Sequence, residues 1–186
     1  MQKEEDMQFE DVLGDERLWA VVYENGQKNI LEQVFEQWKD LDFLEQFFQE
    51  NYQDLTTNFH VVNVDDAIFQ TIDDAHVMKC LILDIRPDSN LDRLFRPLEN
   101  SRYREATLSK EKAKGKRVAD HPSWLRLYAL KFEPNTYLIT GGAIKLTKTM
   151  EEREHTLREL LKMESVRRYL LENGVVDKDG LIDLLS

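Results

Sequence analysis

The sequence predicts an α+β fold, a small, twisted, mostly antiparallel sheet with a helix pair on one face, and three observations carry that expectation. Leu18-Trp19-Ala20-Val21-Val22-Tyr23 is an apolar run of strand length. Trp124–Phe132 and Tyr137–Leu146 form two further strand-like segments joined by Glu133-Pro134-Asn135-Thr136, in which proline presets a turn dihedral. Residues 30–54, 65–85 and 150–173 each carry apolar side chains at helical spacing. We therefore expect a single domain over 17–186, with an inserted helical segment at about 60–98 and a C-terminal helix at about 150–173, after a flexible acidic terminus at 1–16.

Taken in order, residues 1–16 are acidic and lack a sustained apolar period, which predicts a loose segment. Asn25-Gly26 closes the first strand, and Asn29 with Glu32 makes a helix start of the capping-box kind ahead of Leu31, Val34, Phe35 and Trp38. Asp40 starts a second stretch with Leu41, Leu44, Phe47 and Phe48. Asp65 and Asp66 are placed to cap the helix whose stripe is Ile68, Ile72, Ala75, Met78, Ile82 and Ile85, and Pro87 ends it. A short amphipathic turn, Leu91–Leu98, follows. The basic stretch Arg102–Arg117 reads as a strand running into a mobile loop around Lys110–Lys116. Thr149 with Glu152 is a second capping-box pair, Asn173-Gly174 a left-handed helix end, and Asp177–Gly180 a turn before a short apolar tail.

Composition narrows the function classes. No apolar run reaches the roughly 20 residues of a membrane-spanning helix, and residues 1–6 lack a signal peptide's basic and apolar regions. Cys80 is the lone cysteine, so no internal disulfide forms and a reducing, cytoplasmic location is expected. The net charge of −11 is unevenly spread: residues 1–90 carry −15, residues 91–150 carry +7, and residues 151–186 carry −3. Such asymmetry marks either a basic binding face on an acidic body or two independently solvated faces. On the first reading, the acidic residues 1–16 lie against the basic segment and mask it.

If the hairpin closes on Pro134-Asn135, Arg126 faces Ala143, Tyr128 faces Gly141, Leu130 faces Ile139, Phe132 faces Tyr137 and Trp124 faces Lys145. Alternation then puts Trp124, Arg126, Tyr128, Gly141, Ala143 and Lys145 on one face, with open space at the two small residues. Cations and aromatics beside a groove suit a polyanion whose bases stack. The alternative is a core strand in which Trp124 and Tyr128 are buried and Arg126 pairs with a carboxylate from the acidic half. A slip of one residue would reverse every side chain, and Gly141-Gly142 is a plausible bulge site.

The segment Trp124-Leu125-Arg126-Leu127-Tyr128-Ala129-Leu130, its Pro134-Asn135 turn, and Tyr137 through Thr149 resemble the closing strands of RelE/HigB-type toxins, nearest the phage-derived HigB-like branch. The preceding order of strand, helix pair and basic strand is also that family's. The resemblance implies a toxin of a type II toxin–antitoxin system: a ribosome-associated, metal-independent endoribonuclease that cuts messenger RNA, needs no cofactor, and is held by an antitoxin on a separate chain. It carries a strand arginine onto Arg126 and a lysine-rich run onto Lys145 and Lys148, while Lys110, Lys112 and Lys114 fall where the family has a basic strand and loop. Leu146 stands where the family has a second lysine, and Met150 where it has a proline.

The expected site is thus Arg126 and Lys145 as charge-stabilising catalytic residues, with Lys148, Trp124, Tyr128, Lys110, Lys112, Lys114, Lys116 and Arg117 contacting RNA. His121, before Pro122 at the hairpin's mouth, is the candidate general base, although a lone turn histidine is more often structural. His76 and Cys80 have helical i,i+4 spacing but too few partners for a metal site, and no metal is expected. Asp177–Gly180 starts like a calcium loop but lacks the closing glutamate. A non-enzymatic protein-interaction module and an RNA-binding regulator without cleavage are the alternatives on the same fold.

Overall fold

The computed structural model describes residues 7–23, 26–98, 107–115 and 122–186. The fold is α+β, as expected. Its sheet has six strands: β1 (Gln8–Asp11), β2 (Leu18–Val22), β3 (Phe95–Pro97), β4 (Ser109–Lys114), β5 (Leu125–Glu133) and β6 (Thr136–Ile144), in the order β1-β2-β6-β5-β4-β3. All neighbours are antiparallel except β2 and β6. Strand β2 therefore lies beside the 125–144 hairpin, and the chain between them supplies the helices.

Those helices are α1 (Ile30–Gln37), α2 (Leu41–Glu50), α3 (Tyr52–Phe59) and α4 (Val64–Leu83). Asn29 accepts the Glu32 N–H at 3.0 Å, and Asp40 accepts the Phe43 N–H at 3.1 Å, so both helix starts are where side-chain caps place them. The cap of α4 is Asn63 instead of Asp65 or Asp66, which occupy its first turn and favour its dipole there. Among the described residues no helix is long and apolar enough to cross a membrane.

Two glycines show how the sheet is sandwiched. A Cβ on Gly142 would meet Val34 of α1 at 2.8 Å, and one on Gly141 would collide with the Glu159 carboxyl group. Glu159 belongs to α5 (Glu154–Glu172), so α1 covers one sheet face and α5 the other. The core on the α1 side is mostly apolar, with Leu18, Leu44, Phe48, Leu125 and Leu127 fully buried and Thr71 and Asp74 of α4 as buried polar exceptions.

Several expectations are corrected. Residues 8–11, within the stretch expected to be loose, pair with β2 as an edge strand. That edge is remote from β4, so residues 8–11 do not mask the basic strand. Lys110–Lys114, expected in a mobile loop, is a strand paired with β5. Phe95–Pro97, read as part of a turn, pairs with β4. The hairpin register holds from Arg126↔Ala143 to Tyr128↔Gly141 and then slips, pairing Ala129 with Ile139, Leu130 with Leu138 and Lys131 with Tyr137. The cause is one extra residue on β6 at Thr140, next to the glycine pair, and the Thr140 hydroxyl bonds the Tyr128 carbonyl oxygen at 3.3 Å. The Thr149–Glu152 pair does form, through the Thr149 N–H, but in the turn that precedes α5. The apolar tail is a helix, α6 (Lys178–Leu185), capped by Asp177. The turn position Asn25 lies outside the described residues.

Candidate functional site

The site is assembled by register. Lys112 of β4 pairs with Tyr128 of β5, and Lys114 pairs with Arg126. Across the hairpin Tyr128 faces Gly141 and Arg126 faces Ala143, and the Lys145 N–H bonds the Trp124 carbonyl just beyond β6. Lys112, Lys114, Arg126 and Tyr128 therefore share the face that α5 covers. Space was expected opposite both Tyr128 and Arg126. The Glu159 carboxyl group fills it over Gly141, and the opening remains at the Arg126 end.

That opening is a pocket of about 450 Å³. Its walls are the basic ends of β4 and β5, the segment Lys145–Glu151, Leu98 beside β3, and Leu160 of α5. Five cations line it, Lys112, Lys114, Arg126, Lys145 and Lys148, against one carboxylate, Glu151. What distinguishes these cations is how they are held. Arg126 Nη1 donates to the carbonyls of Ser123 and Leu125, each at 2.8 Å. Lys112 Nζ donates to the Leu98 carbonyl at 2.8 Å, and Lys145 Nζ to those of Thr147 and Lys148. Among the described residues none of the five forms an ion pair, whereas Lys110, Lys131 and Lys162 pair with Glu164, Asp92 and Glu159. Backbone carbonyls orient a cation without cancelling its charge.

The electrostatics follow. Burial, then the neighbouring Lys114 and Arg126, hold the Lys112 ammonium below its ordinary range. Burial, then Arg126 and Lys112, do the same to Lys145, and burial lowers Arg126. Tyr128 is fully buried, and its Oη has no hydrogen-bond partner among the described residues. Burial, with a smaller contribution from Glu159, keeps its phenol far above the ordinary range, so it stays a donor.

The wall carrying Lys145 and Lys148 is anchored from the far side of the sheet. Arg153 grips Asp54 of α3 with two bonds of 2.7 Å. Asn58 of α3 donates to the Leu146 carbonyl at 2.8 Å, and His155 Nε2 bonds the Ile144 carbonyl at 2.9 Å. Helix α3 thus helps set the position of the pocket's lysine-rich wall.

Of the residues expected from sequence, Arg126, Lys145, Lys148, Tyr128, Lys112 and Lys114 come together here. Trp124 does not. It precedes β5, turns to the helical side, stacks edge-on against Phe48 and Phe59, and donates from Nε1 to Thr71 Oγ1 at 2.9 Å. Lys110 points along the same face but is tied to Glu164 at 2.7 Å, away from the pocket lining. Lys116, Arg117 and the candidate base His121 lie outside the described residues. Sequence reasoning missed Leu98, Met150 and Leu160, for which only amphipathic spacing gave a signal, and missed Glu159 altogether. His76 and Cys80 sit 3.9 Å apart on an exposed helix face, and among the described residues no cluster of three or more His, Cys, Asp or Glu could hold a metal. Asp177 is a helix cap that accepts the Gly180 N–H.

No family model, no curated protein and no solved structure matches this chain.

Proposed function

We propose that this protein is a toxin-family member of a type II toxin–antitoxin system, facing RNA through the cationic pocket and acting in the cytoplasm as a metal-independent endoribonuclease on messenger RNA. The observation that carries the reading is the set of five cations in one pocket that have no carboxylate partner among the described residues. Assembling like charges in a half-buried site is unfavourable by itself, and an anionic ligand reverses the sign of the interaction. Arg126, Lys145 and Lys148, the residues singled out by the RelE/HigB resemblance, all line that pocket. The order of β2, the helix pair, β4 and the closing hairpin also agrees with that resemblance.

The chemistry is a 2′-hydroxyl attack on the adjacent phosphorus. The 2′-O–P bond forms, the P–O5′ bond breaks, one proton leaves the 2′-hydroxyl and one reaches the departing 5′ oxygen. Arg126 stabilises the added negative charge on phosphorus. A lysine held below its usual range, as Lys112 and Lys145 are, is a stronger acid and a better donor to the 5′ oxygen. An antitoxin on a separate chain would restrain the activity.

One observation favours a second reading, RNA binding without cleavage: Glu151 is the only carboxylate among the described lining residues, and no imidazole accompanies it. Induced expression separates the two, with growth and messenger-RNA 5′ ends followed over time. Growth arrest with new 5′ ends at internal sites, relieved by Arg126→Ala, is the expected result. RNA binding without new ends would leave the regulator, and unchanged arrest in a folded Arg126→Ala protein would remove the pocket from the mechanism.

A further inference from the structure

We propose that the pocket takes a 5′-polyphosphate, the di- or triphosphate group of a nucleotide or of an RNA 5′ end, in preference to an internal phosphodiester, with Tyr128 as an uncharged donor at its floor. The inference rests on the reading of the pocket as a phosphate site and adds the class of phosphate; it favours RNA binding without cleavage, because an internal phosphodiester is then the weaker ligand.

The first argument is charge density. Five cations and one carboxylate leave a net of +4 in a cavity of about 450 Å³. If round, such a cavity is about 9–10 Å across, enough for about one or two successive phosphodiesters of a single strand, which carry one charge each. Those leave most of the positive charge uncompensated. A diphosphate or triphosphate end concentrates about three to four negative charges in a comparable length and matches the excess. The nearby Glu152, bonded through one oxygen to the N–H and hydroxyl of Thr149, lies outside the lining but is felt by Lys145, so it trims the excess without removing it.

The second argument is independent of charge. Tyr128 is fully buried and lines this pocket, and its Oη lacks a partner among the described residues. A buried hydroxyl without a partner costs roughly 1–3 kcal/mol, so it marks a place where an acceptor belongs. A phosphate oxygen on the pocket floor is such an acceptor, and Arg126, two residues along the same strand face, would contact the same group. The apolar side chains Leu98, Met150 and Leu160 complete the lining and give the attached nucleoside an apolar surface.

The test uses the full chain and four probes at one ionic strength: inorganic pyrophosphate, a nucleoside triphosphate, and the same short single-stranded RNA with a 5′-triphosphate or a 5′-hydroxyl. The 5′-triphosphate RNA should bind at least about tenfold tighter than the 5′-hydroxyl RNA, and pyrophosphate should displace it. Tyr128→Phe, which changes no charge, should weaken pyrophosphate binding about three- to tenfold with the melting temperature retained. Equal affinity for free triphosphate and triphosphate RNA supports a nucleotide ligand, and tighter binding of the RNA supports an RNA end. Equal affinity for the two RNAs, or pyrophosphate binding untouched by Tyr128→Phe, overturns the inference while leaving RNA binding in place. Failure of every probe to bind overturns both.

Discussion

At the scale of single residues, Arg126 and Trp124 stand two positions apart and do opposite things. Arg126 sits within β5 and reaches the pocket, held by two carbonyls and, among the described residues, no carboxylate. Trp124, just outside the strand, is a core residue with an indole bond to Thr71. Trp124→Ala should therefore destabilise the fold by about 3–5 kcal/mol, checked by denaturant unfolding. Arg126→Ala should leave the unfolding midpoint close to wild type and, if the protein cleaves RNA, lower the rate about 10²–10³-fold. The lysines add a pH dependence. Lys112 and Lys145 titrate below the 10.5 of a free lysine, so the folded state releases their protons before the unfolded state does. Their contribution to stability rises with pH through that window, and affinity for an anion falls through it. Pyrophosphate should raise the melting temperature at neutral pH, and that rise should shrink as pH approaches 10.5; a rise independent of pH would mean that these lysines do not contact the anion.

Among the elements, the two glycines of β6 separate packing from pocket shape. Gly142→Ala drives a Cβ against Val34 and the Arg126 carbonyl at 3.0 Å, a backbone atom that cannot yield cheaply. A loss of about 1–3 kcal/mol is expected in thermal unfolding. Gly141→Ala meets the end of the Glu159 side chain, which can swing away, so its cost in stability should be smaller. The segment from Lys145 to Arg153 is the other element with a testable role. Its tie to Asp54 joins a buried carboxylate to a half-exposed arginine that water can solvate once the partner is gone, so the pair adds modestly to stability. Asp54→Ala should accordingly weaken anion binding several-fold with little change in unfolding midpoint, measured on the same preparation. A large drop in stability with unchanged affinity would make the Asp54–Arg153 pair a structural clamp only.

For the whole molecule, the charge division seen in the sequence becomes geometry. The basic β4–β5 ends and the lysine-rich segment converge on one sheet face, while acidic β1 pairs on the opposite edge of the sheet. The hairpin and its pairing with β2 were legible because they rest on local signals: an apolar run, two strand-length segments and the Pro-Asn turn between them. Strands β1 and β3 were not, since Gln8–Asp11 and Phe95–Pro97 have no strand pattern of their own and are extended because a neighbour offers them pairing. The bulge at Thr140 was only half legible: the glycine pair marked the place, but the packing of Val34 and Glu159 against opposite faces is tertiary. Alternation from the turn put Arg126, Tyr128 and Lys145 on one face, and the structure brings them to one pocket. It failed at Trp124, because the strand ends one residue after it and alternation no longer applies.

The central claim is that the cationic pocket is where RNA phosphate binds, and equilibrium binding of a fluorescent single-stranded RNA tests it most directly. Wild-type protein, Arg126→Ala, Lys145→Ala and, as a control on the same sheet face but outside the pocket, Lys110→Ala should be titrated at two salt concentrations. Wild type should bind with a log–log salt slope of about −0.7 to −1.4, as expected for the one or two single-strand phosphates that the pocket holds. The two pocket variants should each weaken binding and flatten the slope by nearly one contact, while Lys110→Ala should do neither. Binding that is absent, or that responds to Lys110→Ala as strongly as to Arg126→Ala and Lys145→Ala, would contradict the account.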